Sequence, residues 1–402
     1  MQGGALLRLE RTWANVVLLV VDEVSFIGRA FFTRMHYRLQ QAKRRDFRER
    51  GDEERAYFGN ISIILVGDFG QLDPIDDWSM CDTESCYQSC PKKLRQLWKQ
   101  NNFGKDLVQK FDEAVVLTEI HRSSEDKWWT ESCLRLRDFT CTKEEDWDYW
   151  RLHDLDRGHL TAEQKDYFEN KAVWLCARNE DVGTRNGRKL ANLVESERHI
   201  IHAIKAESRE SARKLPSTAF DGLRDLIHLV RECKVMLTRN VAYRYGLANG
   251  TRGTLVGVVY GPGGVGTFPE ALVVCLPDYC GPCFYKGEPK WVPILPMIAF
   301  KENTRITRKQ FPVVAGFAMT VNKAQGLTMK EGTVIHLVSS PRFHPASKHG
   351  LPFVAFTRSE SFAMTAFKIY LPGRTSWTAE NRRCWRCAWH SLTGWRRSTK
   401  EP

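Results

Sequence analysis

Asn15-Val16-Val17-Leu18-Leu19-Val20-Val21-Asp22-Glu23 decides how the rest of the chain is read. Its aliphatic run is short and rich in β-branched residues, so it reads as a strand. An unbroken apolar run of this kind is expected to be buried on both faces of a parallel sheet. The run stops abruptly at two carboxylates. A second run, Ile61-Ser62-Ile63-Ile64-Leu65-Val66, stops at Gly67-Asp68. Between them, Phe31 to Arg55 is charged and has helical character. Strand, helix, strand with acids at both carboxyl ends is the α/β pattern, and open parallel sheets bind ligands beyond those ends.

Further along, Cys81 to Asp112 reads as a loop and then a helix. Val115-Val116-Leu117 reads as a short strand leading to Glu119-Ile120-His121-Arg122. Residues from about Ser123 to Tyr167 are charged, Trp-rich and helical. Ala172-Val173-Trp174-Leu175-Cys176 is another buried strand, with a helix after it through Asn186 and Leu193. From Lys234 short β-rich segments alternate with Gly and Pro, which predicts a small barrel or sandwich inserted at about 250–310. A strand-and-helix segment, Phe311 to Leu327, and two apolar strands, Val334–Val338 and Ala366–Tyr370, follow. No internal repeat is visible.

The chain has 402 residues, enough for two or three domains with cores of their own. A hydrophobic content of 42% excludes a disordered chain. The longest apolar run, Val16–Val21, falls far short of the ~20 residues of a membrane span. No basic stretch and apolar segment mark a signal peptide at the start, so a soluble intracellular protein without a membrane partner is expected. The formal net charge is +12, which suits a polyanionic partner such as nucleic acid. Many ordinary soluble proteins are also mildly basic. The twelve cysteines are scattered and read as reduced thiols.

A hydrophobic strand ending in Asp22-Glu23 is the Walker B arrangement. Asp22 would hold Mg²⁺ through water, and Glu23 would orient and deprotonate an attacking water. An ordinary acidic strand end is the bland alternative. Gly67-Asp68-Phe69-Gly70-Gln71-Leu72-Asp73-Pro74 brings a neutral amide, Gln71, to the same crevice, where it can sense a γ-phosphate. Leu117-Thr118-Glu119-Ile120-His121-Arg122 and Val354-Ala355-Phe356-Thr357-Arg358 each deliver one arginine from an expected strand end, and a guanidinium there stabilises a transferring phosphoryl group. In Met319-Thr320-Val321-Asn322-Lys323-Ala324-Gln325-Gly326-Leu327-Thr328, small, polar and basic groups would touch a phosphate backbone while Gly326 lets main chain approach a nucleotide.

These motifs, in this order, with Gly-Leu-Ala-Asn-Gly-Thr-Arg-Gly at 246–253 between them, resemble superfamily-one helicases, closest to the petite-integration-frequency (PIF) family, relatives of RecD. The resemblance covers about residues 14–370. It implies an α/β fold of the P-loop NTPase class with two RecA-like parallel-sheet domains and ATP between them. On that reading residues 1–122 are an incomplete first domain. Residues 123–249 and 311–372 are the second, 250–310 a small β-barrel-like insertion, and 373–402 an Arg/Trp-rich tail expected to be disordered. The implied activity is ATP-driven 5′-to-3′ translocation on single-stranded DNA and unwinding of forked DNA, in repair, recombination or telomere maintenance. The expected cofactors are ATP and Mg²⁺. The resemblance assigns Asp22 and Glu23 to Mg²⁺ and hydrolysis, and Gln71 to coupling nucleotide and DNA. Arg122 and Arg358 would reach the γ-phosphate, Gly326 would border the nucleotide, and Thr320, Asn322 and Lys323 would contact DNA. A monomer in the nucleus is expected, with the mitochondrion as the alternative compartment.

The chain departs from that family at three places. The family carries a Gly-x-x-Gly-Thr-Gly-Lys-Thr loop upstream of Asp22, yet here the 21 preceding residues contain no lysine. The sole Gly-Lys of the chain, Gly104-Lys105, is followed by Asp106. Asn322 replaces the family's histidine and Asp73 its proline. Two explanations stand: an N-terminally incomplete piece of a working helicase, or a degenerate copy that binds DNA or a protein without turnover.

Other motifs carry less. Gly261-Pro262-Gly263-Gly264-Val265-Gly266 fits the dinucleotide fingerprint by letter, but a strand-like run follows it, so a hairpin loop is expected. Cys280-Gly281-Pro282-Cys283 lacks the helix that would lower a thiol pKa. Cys81, Cys86 and Cys90, and separately Cys384, Cys387 and His390, are incomplete zinc sets. Trp128, Trp129, Trp147 and Trp150 read as core. The tail's Arg374, Arg382 and Arg383 with Trp377, Trp385 and Trp389 read as a disordered end sooner than as a strand-binding surface.

Overall fold

The computed structural model describes residues 3–44, 56–82, 98–197, 200–302, 304–337 and 350–368. The Arg/Trp tail, Cys86, Cys90, Cys384, Cys387 and His390 lie outside these. The chain forms two compact units. The first takes the described residues of Met1–His153 and Val338–Ala363, the second those of Asp154–Leu337 and Met364–Ile369. The compact units therefore divide the chain at 153/154, whereas the domain reading divides it at 122/123.

In the first unit, β1 (Leu18–Val21) and β2 (Ser62–Leu65) pair in parallel, Leu18 against Ser62 through Val21 against Leu65. Helix α1 (Gly4–Trp13) precedes β1, and α2 (Arg29–Ala42) crosses between the strands. Helix α3 (Trp98–Val108) packs on α2 at Gly104, where a Cβ would collide with the Arg29 carbonyl. Gly104-Lys105 is thus a helix-packing position, not a phosphate loop. One face of the sheet, with Leu19, Ile63 and Leu65, packs on Phe32, Leu39, Phe58 and Leu107. The other face is open. Leu18 and Val20 are 47% and 55% exposed, which corrects the expectation of strands buried on both faces. Among the described residues β1 and β2 form a two-stranded sheet, and only the side facing α2 and α3 is covered. Val115-Val116-Leu117 is not a strand either. Val115 and Leu117 are 82% and 84% exposed, and among the described residues no strand pairs with this segment.

Helix α4 (Lys127–Arg137) is capped by Asp126, whose side chain accepts the Trp129 N–H at 2.9 Å. Trp129 and Trp150 are fully buried and Trp128 and Trp147 partly so, as core residues. Trp129 stacks on Phe356 at 5.6 Å and 11° between ring planes. Trp150 meets Phe356 edge-on and donates through Nε1 to Ser132 at 3.1 Å. These rings anchor the buried six-residue helix Leu351–Phe356 against α4.

The strands of the second unit are β3 (Val173–Cys176), β4 (His202–Lys205), β5 (Glu207–Ser208), β6 (Leu226–Leu229), β7 (Lys234–Leu237), β8 (Arg252–Val259), β9 (Ala271–Cys275), β10 (Trp291–Ile294), β11 (Met297–Phe300), β12 (Thr307–Gln310), β13 (Val313–Ala315), β14 (Ala318–Thr320), β15 (Thr333–His336) and β16 (Thr365–Phe367). A parallel sheet runs in the order β14-β3-β15-β16. An antiparallel sheet runs in the order β10-β9-β8-β7-β13: Trp291–Ile294, Ala271–Cys275, Arg252–Val259, Lys234–Leu237 and Val313–Ala315. Its core is Leu255, Leu272, Val274, Val292 and Phe311 among others. The β-rich texture around 250–310 is real, but the sheet borrows β7 and β13 from either side. Residues 261–266 form the hairpin loop between β8 and β9. Eight cysteines lie among the described residues and all are free thiols. Burial pushes the Cys176 and Cys233 thiols up to about 12 and about 11.

Candidate active site

The parallel pairing of β1 and β2 puts Asp22-Glu23 and Gly67-Asp68 side by side. The Val66 N–H donates to the Val21 carbonyl at 2.8 Å, and Val24 donates back to Val66 at 3.0 Å. The approach is so close that a Cβ on Gly67, at φ 146, would lie 2.8 Å from the Val24 nitrogen. Glu23 sits in the left-handed region at φ 53 and ψ 47, which is costly for a residue with a side chain. Its N–H donates to the Asp22 carboxylate at 2.7 Å. Asp68 accepts from the Gly70 N–H and from Arg137, each at 2.8 Å, and its carbonyl accepts the Gln71 N–H at 3.0 Å. This closes the turn that carries the Gln71 side chain, whose Oε1 is buried without a hydrogen-bond partner.

The two arginines join the same unit from unexpected elements. Arg122 follows an irregular segment, and Arg358 follows the end of the Leu351–Phe356 helix; neither leaves a strand end. The helix is placed by its tryptophan anchor and by Gly350, at φ 69, which rests directly on the Gln71 main chain. Arg122 donates to the Thr357 carbonyl at 3.0 Å. Arg358 is buried, with Nε on the Val354 carbonyl at 2.8 Å and Nη2 on the Thr357 hydroxyl at 2.9 Å.

Electrostatics tie the groups together. Burial pulls the Arg358 pKa down to about 9, and the repulsion of Arg122 adds to it, while Glu23 works in the opposite sense. Loss of hydration likewise lowers the Arg122 pKa against the attraction of Glu23 and Glu360. Glu23 thus attracts both arginines, Arg122 repels Arg358, and Gln71 adjoins the helix that carries Arg358 through Gly350. Two cations with a carboxylate near both, beside a buried amide, fit a polyphosphate and a water better than they fit an apolar ligand. Among the described residues no group of three or more His, Cys, Asp or Glu is arranged to hold a metal. Asp22 would need phosphate oxygens and water to complete a Mg²⁺ shell.

Thr320, Asn322, Lys323 and Gly326 lie in the second unit. Thr320 ends β14, and Asn322 and Lys323 occupy the short helix Val321–Ala324. Gly326 follows at φ 79, a conformation that suits glycine. Sequence reading missed two neighbours. Arg137 holds Asp68 in the first unit, and Arg224 lies in electrostatic reach of Lys323 in the second. Neither sits in a motif, and only the folded chain brings them in.

The fold is of the RecA-like α/β class seen in solved DNA helicases. Within that class the likeness is to the Pif1 helicases. No family model matches the chain. The chain is 25% identical over 327 residues to the human ATP-dependent DNA helicase PIF1, covering 79% of this chain and 42% of that protein. Bacteroides Pif1 bound to single-stranded DNA superposes with a TM-score of 0.66 at 17% identity, over 96% of this chain and 78% of that one. Bacteroides Pif1 with ADP-AlF3 and single-stranded DNA superposes with a TM-score of 0.61 at 18% identity, over 90% of this chain and 73% of that one. The chain spans about two fifths of the length of the curated relative it matches.

Proposed function

We propose that this chain is the greater part of the motor of an ATP-dependent DNA helicase. The observation that carries the proposal is the convergence of Glu23, Arg122 and Arg358 next to Gln71 at the carboxyl end of two parallel strands. The likeness to Pif1 helicases, one of them with ADP-AlF3 and single-stranded DNA, supports the same reading. Asp22 would hold, through water, a Mg²⁺ bound with ATP, and that ion would neutralise phosphate charge. Glu23 orients the attacking water and takes its proton, and Gln71 Oε1 accepts a hydrogen bond from the same water. Arg122 and Arg358 stabilise the charge that develops on the departing phosphoryl group. Thr320, Asn322 and Lys323 touch the DNA, and Gly326 leaves room for the nucleotide.

The proposal extends to 5′-to-3′ movement on single strands, unwinding of forks, and work in repair, recombination or telomere maintenance. It takes 1–122 and 123–249 with 311–372 as the two motor domains. It places the protein in the nucleus, with the mitochondrion as alternative, acting as a monomer.

A second reading rests on one observation. The 402 residues contain no Gly-Lys-Ser or Gly-Lys-Thr to cradle the β- and γ-phosphates. On that reading the chain is a helicase remnant that binds DNA or a protein without turnover. DNA-stimulated ATPase measurements separate the two, made on the 402-residue chain and on the same chain extended by any in-frame upstream sequence encoding such a loop. Activity only in the extended form supports the motor. Inactivity in both supports the remnant. Robust activity of the 402 residues alone overturns the requirement for the loop.

A further inference from the structure

Between β9 and β10 the chain passes through the turn Tyr279-Cys280-Gly281-Pro282-Cys283. Of the free thiols among the described residues, Cys133, Cys176 and Cys233 are buried, and Cys81, Cys141 and Cys275 are partly buried. Cys280 and Cys283 alone among them are exposed, and both stand on this one turn.

The turn is wrapped round a single ring. Tyr279 is 3% exposed, and its hydroxyl donates to the Pro282 carbonyl at 2.9 Å. The Lys290 ammonium donates to the Tyr279 carbonyl at 2.7 Å. The chain bends at Gly281, which lies so close to the ring that a Cβ there would fall 2.4 Å from the Tyr279 oxygen. Loss of hydration raises the Tyr279 pKa, and Tyr245, Cys280 and Cys283 add to the rise, so both thiols lie within electrostatic reach of the same phenolic oxygen. Cys280 is also tied to the neighbouring turn at 243–246. Its N–H donates to the Tyr245 carbonyl at 3.2 Å, and its thiol donates to the Arg244 carbonyl at 3.8 Å. The Cys283 thiol donates to the Tyr285 carbonyl at 3.0 Å. The two turns touch through main chain, because a Cβ on Gly246 would lie 2.7 Å from the Asp278 carbonyl oxygen.

We propose that Cys280 and Cys283 are a dithiol modification site that closes to a disulfide by exchange with glutathione disulfide, and that closure loosens the 243–246 turn. One cysteine thiolate attacks a sulfur of glutathione disulfide, forms a mixed disulfide and releases one glutathione. The other cysteine thiolate attacks the protein sulfur of that mixed disulfide, forms the Cys280–Cys283 bond and releases the second glutathione. The protein gives up two electrons and two protons, and one glutathione disulfide becomes two glutathione thiols. No helix follows the turn among the described residues, so the pair lacks the arrangement that passes disulfides between proteins. Closure within the turn needs only accessible thiols and Cα atoms brought to within about 4.4–6.8 Å, and Gly281 is the residue at which the turn tightens most easily. The new bond turns the Cys280 sulfur towards Cys283 and away from the Arg244 carbonyl, which removes one of the two bonds from Cys280 to the 243–246 turn.

The test incubates the full chain with glutathione disulfide, blocks the remaining thiols with iodoacetamide and digests with chymotrypsin. Cleavage after Tyr279 and Phe284 frees residues 280–284, a peptide whose only cysteines are these two. It is expected unalkylated and two hydrogens lighter than its reduced form, and dithiothreitol should reverse the change. Cys283→Ser should stop at the mixed disulfide, with one glutathione on Cys280. Amide hydrogen exchange at 243–246 should be up to about tenfold faster in the disulfide form, the effect of one lost hydrogen bond. Recovery of the peptide alkylated at both cysteines, carrying glutathione at both, or joined to a peptide with another cysteine overturns the site. A disulfide within the peptide with unchanged exchange at 243–246 overturns the link between the turns. The helicase reading stands or falls separately, since no step here depends on it.

Discussion

The Arg122 guanidinium donates to the Thr357 carbonyl at 3.0 Å and so joins segments 235 residues apart. The next residue is Arg358, buried at the end of its helix. The bond therefore holds two like charges near one another, with Glu23 close to both.

That arrangement predicts an anion dependence. The folded state lowers the Arg358 pKa to about 9, so it disfavours the cation. The penalty is complete below about pH 9 and is relieved as pH rises through that value. A polyphosphate placed between the arginines relieves it at neutral pH. Inorganic pyrophosphate is expected to stabilise the protein by about 2 kcal/mol when well above its Kd, read as a rise in Tm. Arg358→Met and Arg122→Met should lose most of that rise; equal rises in all three proteins would refute the assignment.

Trp129→Ala should cost about 3–5 kcal/mol, because it empties a fully buried site stacked on Phe356. Since that stack also positions the helix carrying Arg358, the pyrophosphate response should weaken in the same variant. Urea titrations give the first quantity and melting with ligand the second. A loss in stability below about 1 kcal/mol would mean that the ring is not an anchor.

His36 sets an acid limit. Its Nδ1 accepts the Phe58 N–H at 3.1 Å, so it must be neutral there, and burial lowers its pKa below the usual value. The unfolded chain binds the proton first as pH falls. The contribution of His36 is present above about pH 6.5 and is lost as pH drops through the lower folded value. His202 and His336, also lowered by burial, act in the same direction. Unfolding free energy should fall between pH 7.5 and 5, more steeply in wild type than in His36→Gln. Parallel slopes would remove His36 from the account.

Arg308 is a structural cation. It is wholly buried, donates to the carbonyls of Leu223 at 2.9 Å, Ala212, and Leu215 at 3.1 Å, and lies 4.2 Å over the Phe220 ring. Arg308→Met leaves three buried acceptors without that donor and should destabilise by about 3–5 kcal/mol. Oligonucleotide affinity measured on the folded fraction should stay near wild type; a tenfold loss of affinity there would mean that Arg308 does more than support the fold.

Gly67→Ala should be costly for a backbone reason. The residue sits at φ 146 with the Val24 nitrogen 2.8 Å from where the methyl would be. A loss of about 1–3 kcal/mol is expected, seen as a lower urea midpoint with an unchanged slope. A neutral result would show that the two strand ends can separate freely.

Local chemistry made β1 and β2 legible, because aliphatic runs closed by Asp-Glu or Gly-Asp state both the strand and its end. The same runs misled about burial, since covering a face depends on what other elements pack there and not on the strand's own residues. Val115-Val116-Leu117 failed for that reason: β-propensity is only a fit to a pleated surface, and no partner strand is present among the described residues to supply one. The tryptophans at 129 and 150 were legible as core from size and apolarity alone.

The sequence by itself determined which residue types carry the chemistry and in what order: carboxylates after β1, an amide after β2, an arginine in each of two later motifs, and cations around Lys323. Tertiary structure alone decided how they meet. Arg358 arrives from a helix end held by Trp129 and Gly350, Arg122 is tied to Thr357, and Arg224 comes beside Lys323. A motif fixes only nearest neighbours along the chain, whereas the Coulomb and hydrogen-bond energies that shape a site depend on distances that packing sets between residues hundreds of positions apart.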